Sequence, residues 1–426
     1  MLAVMQRLQR EIPLNPALKK LDSNTMIWQL SEELPRQNIE FFRKGILRHS
    51  LLTLEYSVLC TQLMHDYQQG MDEEHFTNHL VCALMMAEYL TYLYRFYLNV
   101  PREVERLQTE QKVYRSLLEK RGYVFSALDF VEIEADSFSQ RVRSLTIMFN
   151  VPRLFSGRIK RVLEMSAPFV RHMDTYSHFI KDLNKVAKPF FGYMAWIFFL
   201  PRLLVNLFLL LKHLIPGSWW MDEKEIKLGW LYRLQAQLQR RWFELANDSV
   251  WLVAGLLACF VWTGPLAVIG VYINAVLYVY DVGTAAVRAA IEINRLKKLA
   301  EEYELMYHNA NEDDRKQIAN FQKHLARRIA YEQKKLLLSV INTSVLAIAI
   351  MTTLPFAAVN PLIPLIGAVA LVLITILAFA ALKWLESQKP IDKIGFFNEP
   401  CTGSRPSLSH SPTQIVVEED LGSATL

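Results

Sequence analysis

Between Leu336 and Leu382 the chain carries no charged residue over 47 positions. The hydrocarbon core of a bilayer takes about 20 apolar residues per helical crossing. Two crossings joined by a tight turn at Ala357-Ala358-Val359-Asn360-Pro361 fit this run, whereas one crossing leaves half of it over. Backbone groups in lipid find no water to bond, so both legs, residues 336–359 and 361–382, are expected to be helical. The chain therefore reads as integral to a membrane.

Two earlier stretches are also apolar. Residues 189–211 are interrupted by Pro201-Arg202, and residues 249–280 hold 32 uncharged positions with Thr263-Gly264-Pro265 near their middle. An Arg at the bilayer centre costs about 2.5–3.5 kcal/mol on insertion scales. The first stretch reads as a kinked span with Arg202 facing other helices, or as an in-plane or re-entrant element. The second is long for one span and short for two, so a tilted, kinked helix is expected. Gly255, Cys259, Thr263 and Ala267 recur every four residues and form a stripe of small side chains along which another helix can approach. Eight of the nine Trp lie between Trp196 and Trp384, and Trp219, Trp220, Trp251 and Trp384 fall at the ends of apolar stretches, where Trp favours the interface.

Residues 1–188 read as a helical, cytosolic domain. Leu80, Leu84, Met85, Tyr89, Tyr92, Leu93 and Phe96 recur at helical spacing, and Pro101 stands where a further helix starts. No alternating pattern is long enough for a sheet. The formal net charge of +5 is modest and does not point to nucleic acid, but ten Lys or Arg against three acids fall within residues 141–188. Arg153, Arg158, Lys160, Arg161, Lys185 and Lys188 are the candidates for contact with anionic lipid headgroups. A solvated helix face that only fixes orientation is the plainer alternative.

Residues 281–335 carry eleven Lys or Arg and the Asn360-Pro361 turn none. The positive-inside rule puts 281–335 and both termini in the cytoplasm and the turn on the far side. The first two apolar stretches must then both cross or both dip into the membrane; with both crossing there are four spans. Leu296, Leu299, Tyr303 and Met306, then Ile318, Phe321, Leu325 and Ile329 after Asn309-Ala310-Asn311, predict a helical hairpin of coiled-coil-like spacing. The domain plan is thus 1–188, a membrane domain 189–385, and a Pro- and Ser-rich tail 386–426 expected to be disordered. The fold class is all-α.

Four dispersed cysteines without a CxxC pair fit unpaired thiols, and the N-terminus shows no apolar stretch of signal-peptide length after a basic start. There is no P-loop, GxGxxG, HExxH or GxSxG. The nearest approach to a metal site is His75 with His79, one helical turn apart, with Asp72, Glu74, Cys82, His65 and Glu88 as further candidates. A polar helix start explains these residues as well, and no metal or other cofactor is assigned. The apolar stretches contain Arg202, Asn206, Asn274 and Asn342 but no Asp or Glu, which argues against ion-coupled transport. Arg202 with Asn206 would suit an anion path; snorkelling of Arg202 to a headgroup is the reading preferred.

Near the end, Glu418-Glu419-Asp420 lies in a segment rich in small and polar residues. This tail resembles the translocation signals of substrates of the Dot/Icm type IVB secretion system, and the multi-pass architecture beside helical regions is similar to that of some such effectors. The resemblance covers about the last dozen residues and the general architecture. It implies delivery into a host cell and residence in a host organelle membrane, and it implies no biochemical activity. The expected function is a non-enzymatic, membrane-anchored interaction protein with anionic lipids and an unidentified protein, or a second copy, as partners. The alternative is a pore or transporter of a bacterial inner membrane.

Overall fold

The computed structural model describes residues 3–11, 18–20, 25–70, 72–126, 138–217, 223–262 and 264–390. The acidic tail, with Glu418, Glu419 and Asp420, lies outside the described residues, as do Trp219, Trp220 and Thr263. The described chain is all-α apart from one small sheet, as the sequence predicts.

The N-terminal body contains α1 (Ala3–Glu11), α2 (Leu30–Glu33), α3 (Ile39–Leu47), α4 (His49–Gln68), α5 (Glu73–Leu93) and α6 (Pro101–Glu119). Local chemistry sets their ends. The Asn38 side chain caps α3 by accepting from the Phe41 backbone N–H at 3.0 Å. Glu73 and Glu74 sit in the first turn of α5, where the helix dipole favours acids. A wider turn at Tyr94–Leu98 and left-handed Asn99 (φ 48°) then reverse the chain into Pro101.

The stripe read from the sequence of α5 is buried, but so are Val81, Cys82, Ala83, Met86 and Ala87 between its members. Thus α5 is the central helix of the body, surrounded on all sides, and not an amphipathic helix with a wet face. Strands β1 (Leu18–Lys20), β2 (Met26–Trp28) and β3 (Tyr123–Phe125) form a sheet in which β2 pairs antiparallel with β1 and parallel with β3. Three residues hold too little of a two-residue period for the pattern to show in sequence.

The remaining helices are α7 (Phe138–Ser166), α8 (Met173–Leu214), α9 (Glu223–Lys227), α10 (Trp230–Phe260), α11 (Ala267–Asn309), α12 (Glu312–Met351) and α13 (Leu362–Ser387). Four helical segments are long and apolar enough to cross a membrane: Trp230–Phe260, Gly264–Asn309, Glu312–Met351 and Leu362–Ser387. Outward residues such as Ile348, Ile366, Leu373, Leu377 and Phe379 are exposed. An apolar band of that extent suits lipid and would be a liability in water.

The apolar stretch 249–280 is not the single kinked helix that its length suggests. The chain reverses between α10 and α11, with Gly264 at φ 57° next to Pro265. Trp251 on α10 meets Tyr278 on α11 edge-on at 5.7 Å, so the two legs run antiparallel. A left-handed glycine followed by proline ends a helix more firmly than it kinks one. The later hairpin forms as expected, with α12 and α13 on either side of the 352–361 turn. Gly367 lets these legs close: a Cβ there would lie 3.1 Å from the Ala349 carbonyl oxygen.

The 281–335 hairpin also forms, with α11 ending at Asn309 and α12 starting at Glu312. All eight residues of its expected seam are buried, and the rings of Tyr303 and Phe321 lie 4.9 Å apart. Their packing is wider than a two-helix seam. Leu299, Tyr303, Ile318, Phe321 and Leu325 share one apolar core with Val4, Leu8, Leu59, Leu63 and Leu84 of the N-terminal body. The hairpin tip is thus part of the first core, 170 residues beyond the end of β3 when counted from Phe125 to Arg295.

Candidate functional site

The most unusual chemistry lies where α8 meets α10. Phe199 stacks on Trp251 at 6.3 Å, Arg202 Nε donates to Asp248 Oδ2 at 2.7 Å, and Asn206 Nδ2 donates to Glu244 Oε2 at 2.9 Å. Each step along α8 is matched by an equal step backwards along α10, which defines an antiparallel register. Gly255 supports it, because a Cβ there would lie 3.3 Å from the Trp196 backbone nitrogen. That contact gives one member of the small-residue stripe the role expected of it; the turn after α10 breaks the stripe before Ala267.

Arg202 is 6% exposed and Asp248 fully buried. Arg202 therefore does not snorkel, and its partner is a carboxylate on the neighbouring helix. Removing water from both charges is offset by their bidentate contact, in which the second guanidinium nitrogen also reaches Asp248. A third acid joins this region: Trp251 Nε1 donates to Asp281 Oδ1 at 3.0 Å, and Asp281 is buried. Towards the N-terminal body the seam continues as His213 Nδ1 with Glu225 Oε1 at 2.5 Å. Arg233 reaches the Leu214 carbonyl at the C-terminus of α8, where a cation suits the helix dipole.

Sequence reasoning missed Asp248 and Asp281 as interior groups, because they flank the uncharged run and look like its borders. The signal was the Gly264-Pro265 turn. Asp248 and Asp281 stand 16 and 17 residues from Gly264, so a hairpin there brings them to similar depth. Asn342 is buried on α12 and Asn274 half-buried on α11.

The basic residues before the apolar stretches divide. Arg158 is 7% exposed and donates to Thr375 on α13, and the Arg153 guanidinium lies 6.0 Å from the Phe199 ring centroid. Lys160 pairs with Glu164 at 2.7 Å, and Arg161 is half-buried. Lys185 is exposed and pairs with Asp182 at 2.8 Å, while the Lys188 side chain lies outside the described residues.

The histidine pair does not converge on a shared point. His75 is exposed and His79 buried, and His79 Nδ1 lies 3.2 Å from Asp66 Oδ2 without a hydrogen bond between them. Burial lowers the His79 pKa to about 4. The other candidates look elsewhere: Glu88 accepts from Trp28 at 2.9 Å and pairs with Arg115. Among the described residues no three His, Cys, Asp or Glu side chains gather where they could hold a metal. Cys60 is equally unsuited to nucleophilic chemistry, since burial pushes its thiol up to about 12.

A second polar network ties the hairpin to the N-terminal body. Arg7 pairs with buried Glu55, Arg7 Nε donates to Glu302 at 2.9 Å, and the Tyr303 hydroxyl donates to Glu55 at 2.5 Å. These groups satisfy one another and leave none poised for a substrate. Compared with family models, curated proteins and solved structures, the chain matches none.

Proposed function

We propose that the chain is a non-enzymatic, multi-pass membrane protein that presents its N-terminal body as an interaction module. The observation that carries this reading is the core shared by residues 4–118 and the 281–335 hairpin tip. It joins the module to α11 and α12, which continue directly into the apolar bundle, so the module stands on rigid helices. In this reading the module, the hairpin tip and the tail share the cytoplasmic side. A shared core requires an even number of crossings between Phe125 and Leu296. The turn after α10 makes 249–280 two legs, so 189–211 does not cross alone: it pairs with α7 or lies against the bundle. Lys160, Arg161, Lys185 and Lys188 supply contact with anionic headgroups, together with half-buried Arg153, whereas Arg158 is spent inside the bundle on Thr375.

Delivery into a host cell rests on the resemblance of the tail. A calmodulin-dependent cyclase reporter fused to the N-terminus tests it, with the full chain compared against one ending at Gln414. Tail-dependent signal inside host cells supports an effector in a host organelle membrane. Signal from neither chain, with both expressed and a control fusion delivered, places the protein in the bacterial membrane and removes this reading.

A second reading, a pore or transporter of a bacterial inner membrane, is favoured by one observation: Arg202 and Asn206 face two carboxylates within the bundle. Solute flux through reconstituted vesicles that is lost in Arg202→Met and Asn206→Leu variants supports it. Vesicles that stay tight to small ions and solutes count against it.

A further inference from the structure

A groove of about 1010 Å³ opens where α3 and α4 meet α10 and α11. That volume is at the upper end of the range for small-molecule sites. Its walls are apolar, with Leu47, Leu51, Leu234, Leu238 and Trp242. Its rim is cationic, with Arg48, Arg295 and Lys298 against the single lining acid Glu302. Glu302 is already engaged by Arg7 at 2.9 Å and Arg48 at 3.7 Å. Gln239 Nε2 reaches the Leu47 carbonyl at 3.5 Å and ties the two walls together.

The groove adjoins the apolar bundle. From Trp242, α10 reaches Ser249, the first residue of the uncharged stretch, after about 10 Å. From Asp281, α11 reaches Arg295 after about 21 Å. Trp242 and Leu238 therefore lie nearer the membrane than Arg295, and Leu234 lies about level with it. Leu238 is 38% and Leu231 61% exposed, so the described residues leave this apolar wall uncovered.

We propose that this groove binds a single anionic phospholipid drawn from the adjoining leaflet. An acyl chain lies along Leu234, Leu238 and Trp242, and the phosphate sits among Arg48, Arg295 and Lys298. Apolar walls select a chain, and a rim with excess positive charge selects an anionic head over a zwitterionic one. The inference rests on the membrane reading above and adds a specific ligand site to it.

The test uses the full chain in detergent micelles with phosphatidic acid bearing a photoactivatable diazirine on one acyl chain. Phosphatidylcholine with the same chain is the comparison, and labelled peptides are mapped by mass spectrometry. We expect labelling of the segments around Leu51 and Leu238, at least five-fold stronger with phosphatidic acid. An Arg295→Gln/Lys298→Gln variant, altered only at the rim, should lose that preference. Leu234→Trp should fill the groove and abolish labelling there while the helical circular dichroism is retained; if it fails to fold, the rim variant still decides. Equal labelling by both probes, labelling confined to the apolar bundle, or a dimer with the groove covered by a second copy overturns the proposal. Alkaline extraction from membranes separates the two readings: release of the chain counts against membrane residence and with it the lipid site, and retention without groove labelling counts against the lipid site alone.

Discussion

Arg202 and Asp248 face each other across the α8–α10 seam, with Nε 2.7 Å from Oδ2 and both side chains buried. One residue interrupts an apolar stretch and the other ends the polar segment before the next. Their pairing locks the register that Phe199 with Trp251 and Asn206 with Glu244 also mark. Apolar surfaces tolerate sliding, whereas a buried charge that loses its partner does not.

Asp248→Ala leaves the Arg202 guanidinium buried without its carboxylate. The expected loss is about 3–5 kcal/mol, read as unfolding in detergent micelles at lower denaturant. The double variant Arg202→Met/Asp248→Leu, which removes both charges, should recover most of that loss. If the two single changes and the double change are equally harmful, the pair is not a coupled unit.

Tyr303 and Glu55 offer a matching test in the N-terminal body. Tyr303→Phe removes one hydrogen bond to a buried carboxylate and should destabilise by about 1.5–3 kcal/mol. Glu55→Ala removes the buried carboxylate that both Arg7 and Tyr303 use and should cost more, about 3–5 kcal/mol. Hydrogen exchange should show the 296–306 turns of α11 losing protection first. Unchanged exchange there would mean that the hairpin tip is held by packing alone.

The same shared core predicts the behaviour of a fragment. Residues 1–188 lack Leu299, Tyr303, Ile318, Phe321 and Leu325, each worth about 1.5–3 kcal/mol when buried. Their sum rivals the whole stability of a typical domain, about 5–15 kcal/mol. The fragment alone should lack near-ultraviolet circular dichroism, and adding a peptide of residues 290–335 should restore it. A cooperative unfolding transition of the fragment by itself would contradict the shared core.

Gly367 sets the spacing of the last hairpin. A valine there meets the Ala349 carbonyl oxygen and the Thr353 methyl, whose Cγ2 would lie 3.1 Å from the new Cβ. Helix separation should lower stability by about 1–3 kcal/mol. Thermal unfolding of Gly367→Val in micelles measures it, and an unchanged midpoint would show that the legs have room to spare.

His49 makes stability depend on pH. Burial, with Arg240 and Arg295 close by, lowers its pKa from 6.5 to about 4, against a smaller upward pull from its bond to the Ile46 carbonyl. The fold thus favours the neutral ring. Its contribution is complete above about pH 6.5 and is lost as pH falls towards 4, at up to about 1.4 kcal/mol per pH unit. His79, lowered to about 4 by burial, acts in the same direction. Burial raises the Asp66 carboxyl beside His79, which opposes it. Urea unfolding of His49→Gln between pH 7 and pH 4.5 should show a shallower fall than the parent chain; parallel curves would exclude His49 as a source.

Much of this architecture was legible one residue at a time. The uncharged run from Leu336 gave the α12–α13 hairpin, and the spacing of Leu296, Leu299, Tyr303 and Met306 gave the α11–α12 tip. Both are local signals, since hydropathy and helical period are properties of consecutive residues. The same local view misled at 249–280, where length suggested one tilted helix and the backbone at Gly264-Pro265 made two. It was silent on the surroundings of α5, because a stripe shows which residues must be buried and not whether the intervening ones are buried too.

By itself, the sequence determined that this chain is helical, where its long apolar segments lie, and which residues form the hairpin seam. The tertiary structure decided that Asp248 answers Arg202, that Glu55 answers Tyr303, and that one core spans residues nearly 300 positions apart, from Leu8 to Leu299. Burial and pairing of charge depend on which distant surfaces meet, and a carboxylate at the border of an apolar run looks the same in sequence whether it ends in water or against a buried arginine.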